Sequence, residues 1–211
     1  MSVSEDREVT PAVQPAAAAA PIADPAPLGL AAFALTTFLL SAANAHWMNG
    51  NATGNAWLGY ALAYGGIIQL LAGMWEFRNR NVFGATAFSS YGGFWIGLFL
   101  WARYVLPTVA KGNAFATHDE AWILLAFAIF NTYMLLMSTQ VNLAVFGVFL
   151  TLELTEIALA VGHFINSSGL VTAGGYLGLV TALVAWYASA AGLSNGIGGK
   201  IRLPVGKALI S

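Results

Sequence analysis

The chain has 211 residues, of which 58% are hydrophobic and 8% charged. A soluble domain carries about 25% charged residues, so lipid rather than water is the expected solvent for most of this chain. The net charge of −1 offers no basic footprint for nucleic acid, and the absence of cysteine excludes disulfides, thiol catalysis and thiolate metal sites.

Residues 1–24 are rich in Ala and Pro, carry Glu5, Asp6 and Glu8, and lack the basic start and apolar core of a secretory signal. They read as a disordered cytoplasmic tail. Six apolar spans come next, near residues 28–47, 56–77, 85–106, 121–138, 143–165 and 173–194. Each is long enough, at 1.5 Å per residue, to cross about 30 Å of hydrocarbon. Pro27 suits a first helical position, where its missing N–H would be unpaired anyway. The remaining prolines avoid the apolar runs, which leaves those runs free to be continuous helices. Asn49-Gly50-Asn51, Gly112-Asn113 and Asn166-Ser167-Ser168-Gly169 supply turn chemistry between spans. Lipid cannot pair free backbone groups, and no alternating ten-residue segments suggest a barrel. The expected class is an all-α integral membrane bundle over residues 25–206, with a short C-terminal tail, 207–211.

An even number of spans puts both termini on one side. That side then holds Arg7, Arg78, Arg80, Lys200, Arg202 and Lys207, against Lys111 and Arg103 on the other, which favours cytoplasmic termini in a multi-pass protein of the cell membrane. His46, His118 and His163 all fall toward the outer face, where interfacial placement is their simplest role. Gly65 and Gly73 bracket Gln69 at four-residue spacing, and Gly93/Gly97 and Gly174/Gly178 repeat the interval. Such pairs let backbones approach closely in lipid.

Asp24-Pro25-Ala26-Pro27-Leu28-Gly29-Leu30 resembles the Asn-Pro-Ala-Pro-Leu-Gly-Leu signature of the acetate uptake transporter family, which includes the bacterial succinate–acetate permeases. The block from Tyr64-Gly65-Gly66 through Gln69, Gly73 and Glu76 to Asn81-Val82-Phe83-Gly84-Ala85-Thr86-Ala87-Phe88-Ser89-Ser90-Tyr91-Gly92-Gly93-Phe94-Trp95 is similar to that family's second and third helices. Leu203-Pro204-Val205-Gly206 matches as well. The resemblance implies six helices per subunit, a homohexamer, and a pore within each subunit. It also implies a narrow neck formed by Phe33, Tyr91 and Leu152. Two departures stand out. Asp24 replaces the signature asparagine, a change either residue's capping ability tolerates. Glu153 and Glu156 stand where the family's fifth helix is normally neutral.

Helical spacing addresses the pore separately. Phe33, Thr37, Leu40 and Asn44 follow i, i+4, i+7, i+11 and share one face of the first helix. Gln69 on the second span, and Asn131 and Thr132 on the fourth, are isolated polar groups in apolar runs. Buried amides in lipid need partners or water, so each residue serves either an interhelical hydrogen bond or a sparse ladder of donors for a carboxylate. No Lys or Arg lies mid-span, so a permeating anion meets only neutral donors and aromatic edges. Weak binding of that kind suits conduction.

An ionised carboxylate in mid-membrane costs several kcal/mol unless paired, wet or protonated. At 100° per residue, Glu156 lies about 40° from Leu152 on the helical wheel, and Glu153 about 100° away. Glu156 then faces the pore about 6 Å beyond the neck, and His163, within about 20° of Leu152, lies about 10 Å farther out. Glu156 and His163 are therefore candidate proton-responsive groups, the alternative for Glu156 being a helix–helix contact.

No P-loop, dinucleotide fingerprint, nucleophile elbow or metal-ligand spacing occurs, so neither an enzyme nor a cofactor or metal is expected. The expected activity is channel-like transport of acetate or a similar small monocarboxylate, either passive or proton-linked. The competing readings are a channel for a neutral amide or ammonia and a membrane sensor that transports nothing.

Overall fold

The computed structural model describes residues 22–48, 55–109 and 116–210. The expected turns at Asn49-Gly50-Asn51 and Gly112-Asn113, Lys111, and most of the N-terminal tail lie outside these residues. Among them, the regular structure is helical throughout. Helix α1 is Ala26–Asn44 and α2 is Ala56–Arg78. Helix α3 covers 82–109, joining Val82–Leu100, Trp101–Val105 and Leu106–Val109. Helix α4 is Ala116–Ser138, α5 is Leu143–Phe164 and α6 is Ser168–Gly196.

Local chemistry sets these boundaries. The Asp24 carboxylate accepts the Ala26 N–H at 2.9 Å, so the residue that departs from the family signature still serves the start of α1. Asn81 and Asn142 are side-chain N-caps, accepting from Gly84 N at 3.1 Å and Val145 N at 2.9 Å. Ser167 caps α6 through Leu170 N, and the preceding Asn166 adopts a left-handed φ of 52°. The Ser167 N–H then reaches back to the Gly162 carbonyl at 2.8 Å, closing α5 in a Schellman turn.

The sequence's regular 3.6-residue period fails in two places. Ala63–Ile68 and Trp101–Val105 are wide π turns inside α2 and α3. A π turn carries one extra residue and so rotates the remainder of its helix by about 100°. The consequence shows in Gly65, Gln69 and Gly73, expected on one face. A Cβ on Gly65 would meet Thr36 Oγ1 of α1 at 2.5 Å, while one on Gly73 would meet Ser89 of α3 at 2.6 Å. Gln69, between them, turns inward. Gly174 and Gly178 press on Leu159 and Ser41 as small-residue contacts should. Gly93 and Gly97 face open space, and the glycine that admits α2 is their neighbour Gly92, against Leu70.

The helices pack in a ring. The most extensive contacts join α1 to α6, α6 to α5, α5 to α4 and α2 to α3, with α2 also lying on α1. Among neighbours around the ring, α3 and α4 make the slightest contact. Because α6 runs back along α1, Ser189 near its C-terminal end donates to the Pro27 carbonyl at 2.6 Å. Residues 201–210 fold onto the same end, where Ala144 N donates to the Val205 carbonyl and Leu209 N to that of Thr139. The described chain therefore starts and finishes at one end of the bundle. Leu71, Ile129, Leu154, Ile157 and Leu183 point outward as an exposed apolar belt.

Among the described residues, five helices are long and apolar enough to cross a membrane: α1, α2, α4, α5 and α6. Helix α3, the third expected span, is outside that set, its middle diluted by Ser89-Ser90-Tyr91-Gly92-Gly93.

Candidate functional site: a neck on the bundle axis

Three cavities succeed one another along the inside of the ring, sharing residues from each to the next. At the end holding both termini, a vestibule of about 260 Å³ is lined by Asp24, Asn79, Asn81 and Asn142 among apolar side chains. Next comes a space of about 20 Å³ against Leu30, Gln69, Phe88 and Phe149. Phe33 and Tyr91 border that space and also the third, of about 30 Å³, which Thr37, Trp95, Leu152 and Glu156 complete. A single water needs roughly 10–15 Å³ of such volume, so the two inner spaces are tight and the neck between them is closed.

The neck is aromatic. The Phe33 and Tyr91 rings meet edge to face at 5.6 Å, and Tyr91 also lies within 5.5–6.2 Å of Phe94, Phe127 and Phe130. Four surrounding rings fix the plane of Tyr91 and aim its hydroxyl toward α4 and α5. That hydroxyl lies 3.0 Å from Asn131 Oδ1 and 3.3 Å from Glu156 Oε1.

The polar residues singled out in the sequence separate into distinct settings. Phe33, Thr37, Leu40 and Asn44 from α1, Tyr91 from α3, and Leu152 and Glu156 from α5 line the third cavity together. Gln69 lines the space on the other side of the neck. Asn131 is fully buried yet lines neither space, because its amide is spent on neighbours: Nδ2 donates to the Phe149 carbonyl at 2.9 Å and to Glu153 Oε2 at 2.7 Å. Thr132 adds a bond to Glu153 Oε1 at 2.8 Å. His163 stands at the far end of α5, its Nε2 3.8 Å from Glu120 Oε2, away from the cavity wall.

Several buried polar atoms bordering the inner spaces have no hydrogen-bond partner: Thr37 Oγ1, Trp95 Nε1 and Glu156 Oε2 on one side of the neck, and Gln69 Oε1 on the other. An unsatisfied buried polar group costs about 1–3 kcal/mol, so a fold that leaves three around one cavity keeps that cavity suited to a polar guest. Trp95 was not singled out from the sequence. The signal was present, since it comes one helical turn after Tyr91 within the same motif, but an indole in an apolar helix reads first as packing. Ser41 and Thr155 also border this cavity, although Thr155 is engaged with Thr181 across α5 and α6 at 3.2 Å.

Known proteins match this architecture. The ammonia transport outward protein 2 of Saccharomyces cerevisiae is 36% identical over 192 residues, covering 87% of this chain and 67% of that protein. Acetate permease A of Emericella nidulans is 37% identical over 214 residues, covering 94% and 70%. The succinate-acetate/proton symporter SatP of Escherichia coli is 31% identical over 186 residues, covering 88% and 96%. The chain thus spans about two thirds of the length of these fungal relatives and nearly all of the bacterial one. A solved structure of the bacterial acetate channel SatP superposes with a TM-score of 0.79 at 30% identity, covering 88% of this chain and 99% of that one. With the model of the GPR1/FUN34/yaaH family matching residues 6–207, the chain belongs to that family.

Proposed function

We propose that this protein carries acetate or a similar small monocarboxylate across a membrane in a channel-like manner, along the axis of its own helix ring. The observation that supports this best is the cavity beyond the neck, where Thr37, Trp95 and Glu156 present polar atoms the fold does not use, beside the apolar walls of Phe33, Leu40 and Leu152. Acetate has the same division, a carboxylate at one end and a methyl at the other. Among the described residues, no Lys or Arg borders the cavity, so a permeating anion is held by neutral donors and released again. An acetate permease and an acetate channel among its relatives point the same way.

In this reading residues 25–206 are the transport domain and α3 is a sixth crossing, lining the pathway with Phe88, Tyr91, Phe94 and Trp95. The subunits form a homohexamer in the cell membrane, with both termini cytoplasmic on the basic side. The protein is not an enzyme. Transport is proton-linked through Glu156, which repels acetate when ionised and donates to it when protonated, so uptake rises as the outside is acidified.

An ammonia transport protein among the relatives, together with a neck narrow enough for ammonia, favours one second reading. Labelled acetate uptake into proteoliposomes, with methylammonium as competitor, separates the two. The acetate reading expects uptake above that of protein-free liposomes that excess methylammonium leaves unchanged. Methylammonium flux without acetate flux overturns it.

A further inference from the structure

Glu153 lies outside the pathway, on the flank of α5 toward α4, and the transport reading gives it no task. The hydrogen-bond directions around it define one. Asn131 is fixed in orientation, because its Nδ2 faces two acceptors, the Phe149 carbonyl and Glu153 Oε2. Its Oδ1 therefore accepts, and the donor at 3.0 Å is the Tyr91 hydroxyl. A phenol has one hydrogen. Once that hydrogen points at Asn131, the 3.3 Å approach between Tyr91 Oη and Glu156 Oε1 brings two oxygens together, and the hydrogen between them has to come from Glu156. At the opposite end of the chain of bonds, Glu153 Oε2 receives a hydrogen from Asn131, and Oε1 takes the single hydrogen of Thr132, being the nearer of its two acceptors at 2.8 Å against 2.9 Å for the Ala128 carbonyl.

We propose that Glu153 is a positioning residue that, acting through Asn131 and Tyr91, holds Glu156 in its acid form at the cavity wall. The two glutamates then carry one proton between them. This rests on the transport reading for its purpose, since a neutral Glu156 spares an arriving anion a second negative charge. The geometry stands apart from that purpose. Two ionised carboxylates three residues apart on a mid-membrane helix are costly, and groups so linked titrate as a pair.

The surroundings of Glu156 leave this pairing undisturbed. Helix α3 faces it with Tyr91, and α4 reaches it through Asn131, with Glu153 behind. Helix α1 contributes Thr37, Ser41 and Asn44 across the cavity, none of which titrates. Helix α6 comes to this level with Thr181, bonded to Thr155. The His163–Glu120 pair sits about 10 Å farther along α5.

Infrared spectra of the purified full-length protein at neutral pH test this without any transport measurement, so an inactive protein does not confuse the result. Glu156→Gln is expected to remove one carboxylic-acid C=O band, and Glu153→Gln to remove none. Tyr91→Phe keeps the band but moves it to higher wavenumber, because the acid loses its acceptor. When the pH is raised, the band disappears earlier in Glu153→Gln than in the wild type. Loss of a band in Glu153→Gln rather than Glu156→Gln, or in neither, overturns the assignment of the proton. Equal persistence with pH in wild type and Glu153→Gln overturns the role of Glu153.

Discussion

The vestibule and the cavity beyond the neck both hold polar side chains, but in opposite states of employment. In the vestibule, Asp24, Asn81 and Asn142 each accept a backbone N–H at a helix start. Their chemistry is consumed by the fold. Beyond the neck, Thr37, Trp95 and Glu156 keep atoms that no neighbour claims. A wide polar region can thus be structural, while a cavity of about 30 Å³ holds polar atoms the fold leaves unused. Substitutions in the two regions should accordingly act on different observables.

The largest effect is expected at the boundary between them. Phe33→Ala or Tyr91→Ala opens the neck, and either aromatic truncation costs about 3–5 kcal/mol of stability. In protein that still folds and assembles, discrimination against larger monocarboxylates should fall. A pocket distinguishes one methylene by about 1–3 kcal/mol, so the acetate-to-butyrate flux ratio should drop about tenfold or more. An unchanged ratio in folded variants removes the neck from the pathway.

Next is the response to pH. Acetate flux through the wild type, after subtraction of flux into protein-free liposomes, should climb as the outside is acidified from alkaline toward neutral pH and Glu156 takes up its proton. Glu156→Gln has no proton to gain and should show a flattened profile. Superimposable profiles would return Glu156 to a packing role.

Smaller is the cost of a cap. Asn142→Ala should lower stability by about 1 kcal/mol, readable as a lower melting temperature, while acetate flux per folded subunit stays at the wild-type level. A flux deficit in that variant would blur the division between vestibule and cavity. Gln69→Leu should weaken acetate flux by a few-fold, one neutral hydrogen bond being worth about 0.5–1.5 kcal/mol. Unchanged flux there would leave Gln69 as a packing residue.

Much of this architecture was legible in the chain. Helix boundaries fell within a few residues of the apolar spans, with Pro27 in the first turn of α1 and Asn166-Ser167 between α5 and α6. The stripe Phe33, Thr37, Leu40, Asn44 is one face of a regular helix, and those residues border a single cavity. The π turn at Ala63–Ile68 was not legible. A helical wheel assumes a constant rotation per residue, and no residue type in Ala63-Tyr64-Gly65-Gly66-Ile67-Ile68 announces the extra one. Nor did the sequence reveal what Asn131 does. A buried amide predicts that partners exist, but Tyr91 is 40 residues away and Glu153 is 22, and only the packing of three helices selects them. Helix α3 shows the same limit from the other side: Tyr91, which borders both inner spaces, stands in a run of serines and glycines that weakens the helix's apolar signature.

The central claim is that the atoms the fold leaves unclaimed beyond the neck are the ones that meet the substrate. Its most direct test is labelled-acetate flux per folded subunit in Thr37→Val, which keeps the shape of the side chain and deletes a donor that holds no structural bond. One lost hydrogen bond of about 0.5–1.5 kcal/mol predicts a fall of a few-fold with no drop in melting temperature. Wild-type acetate flux in that variant would contradict the account.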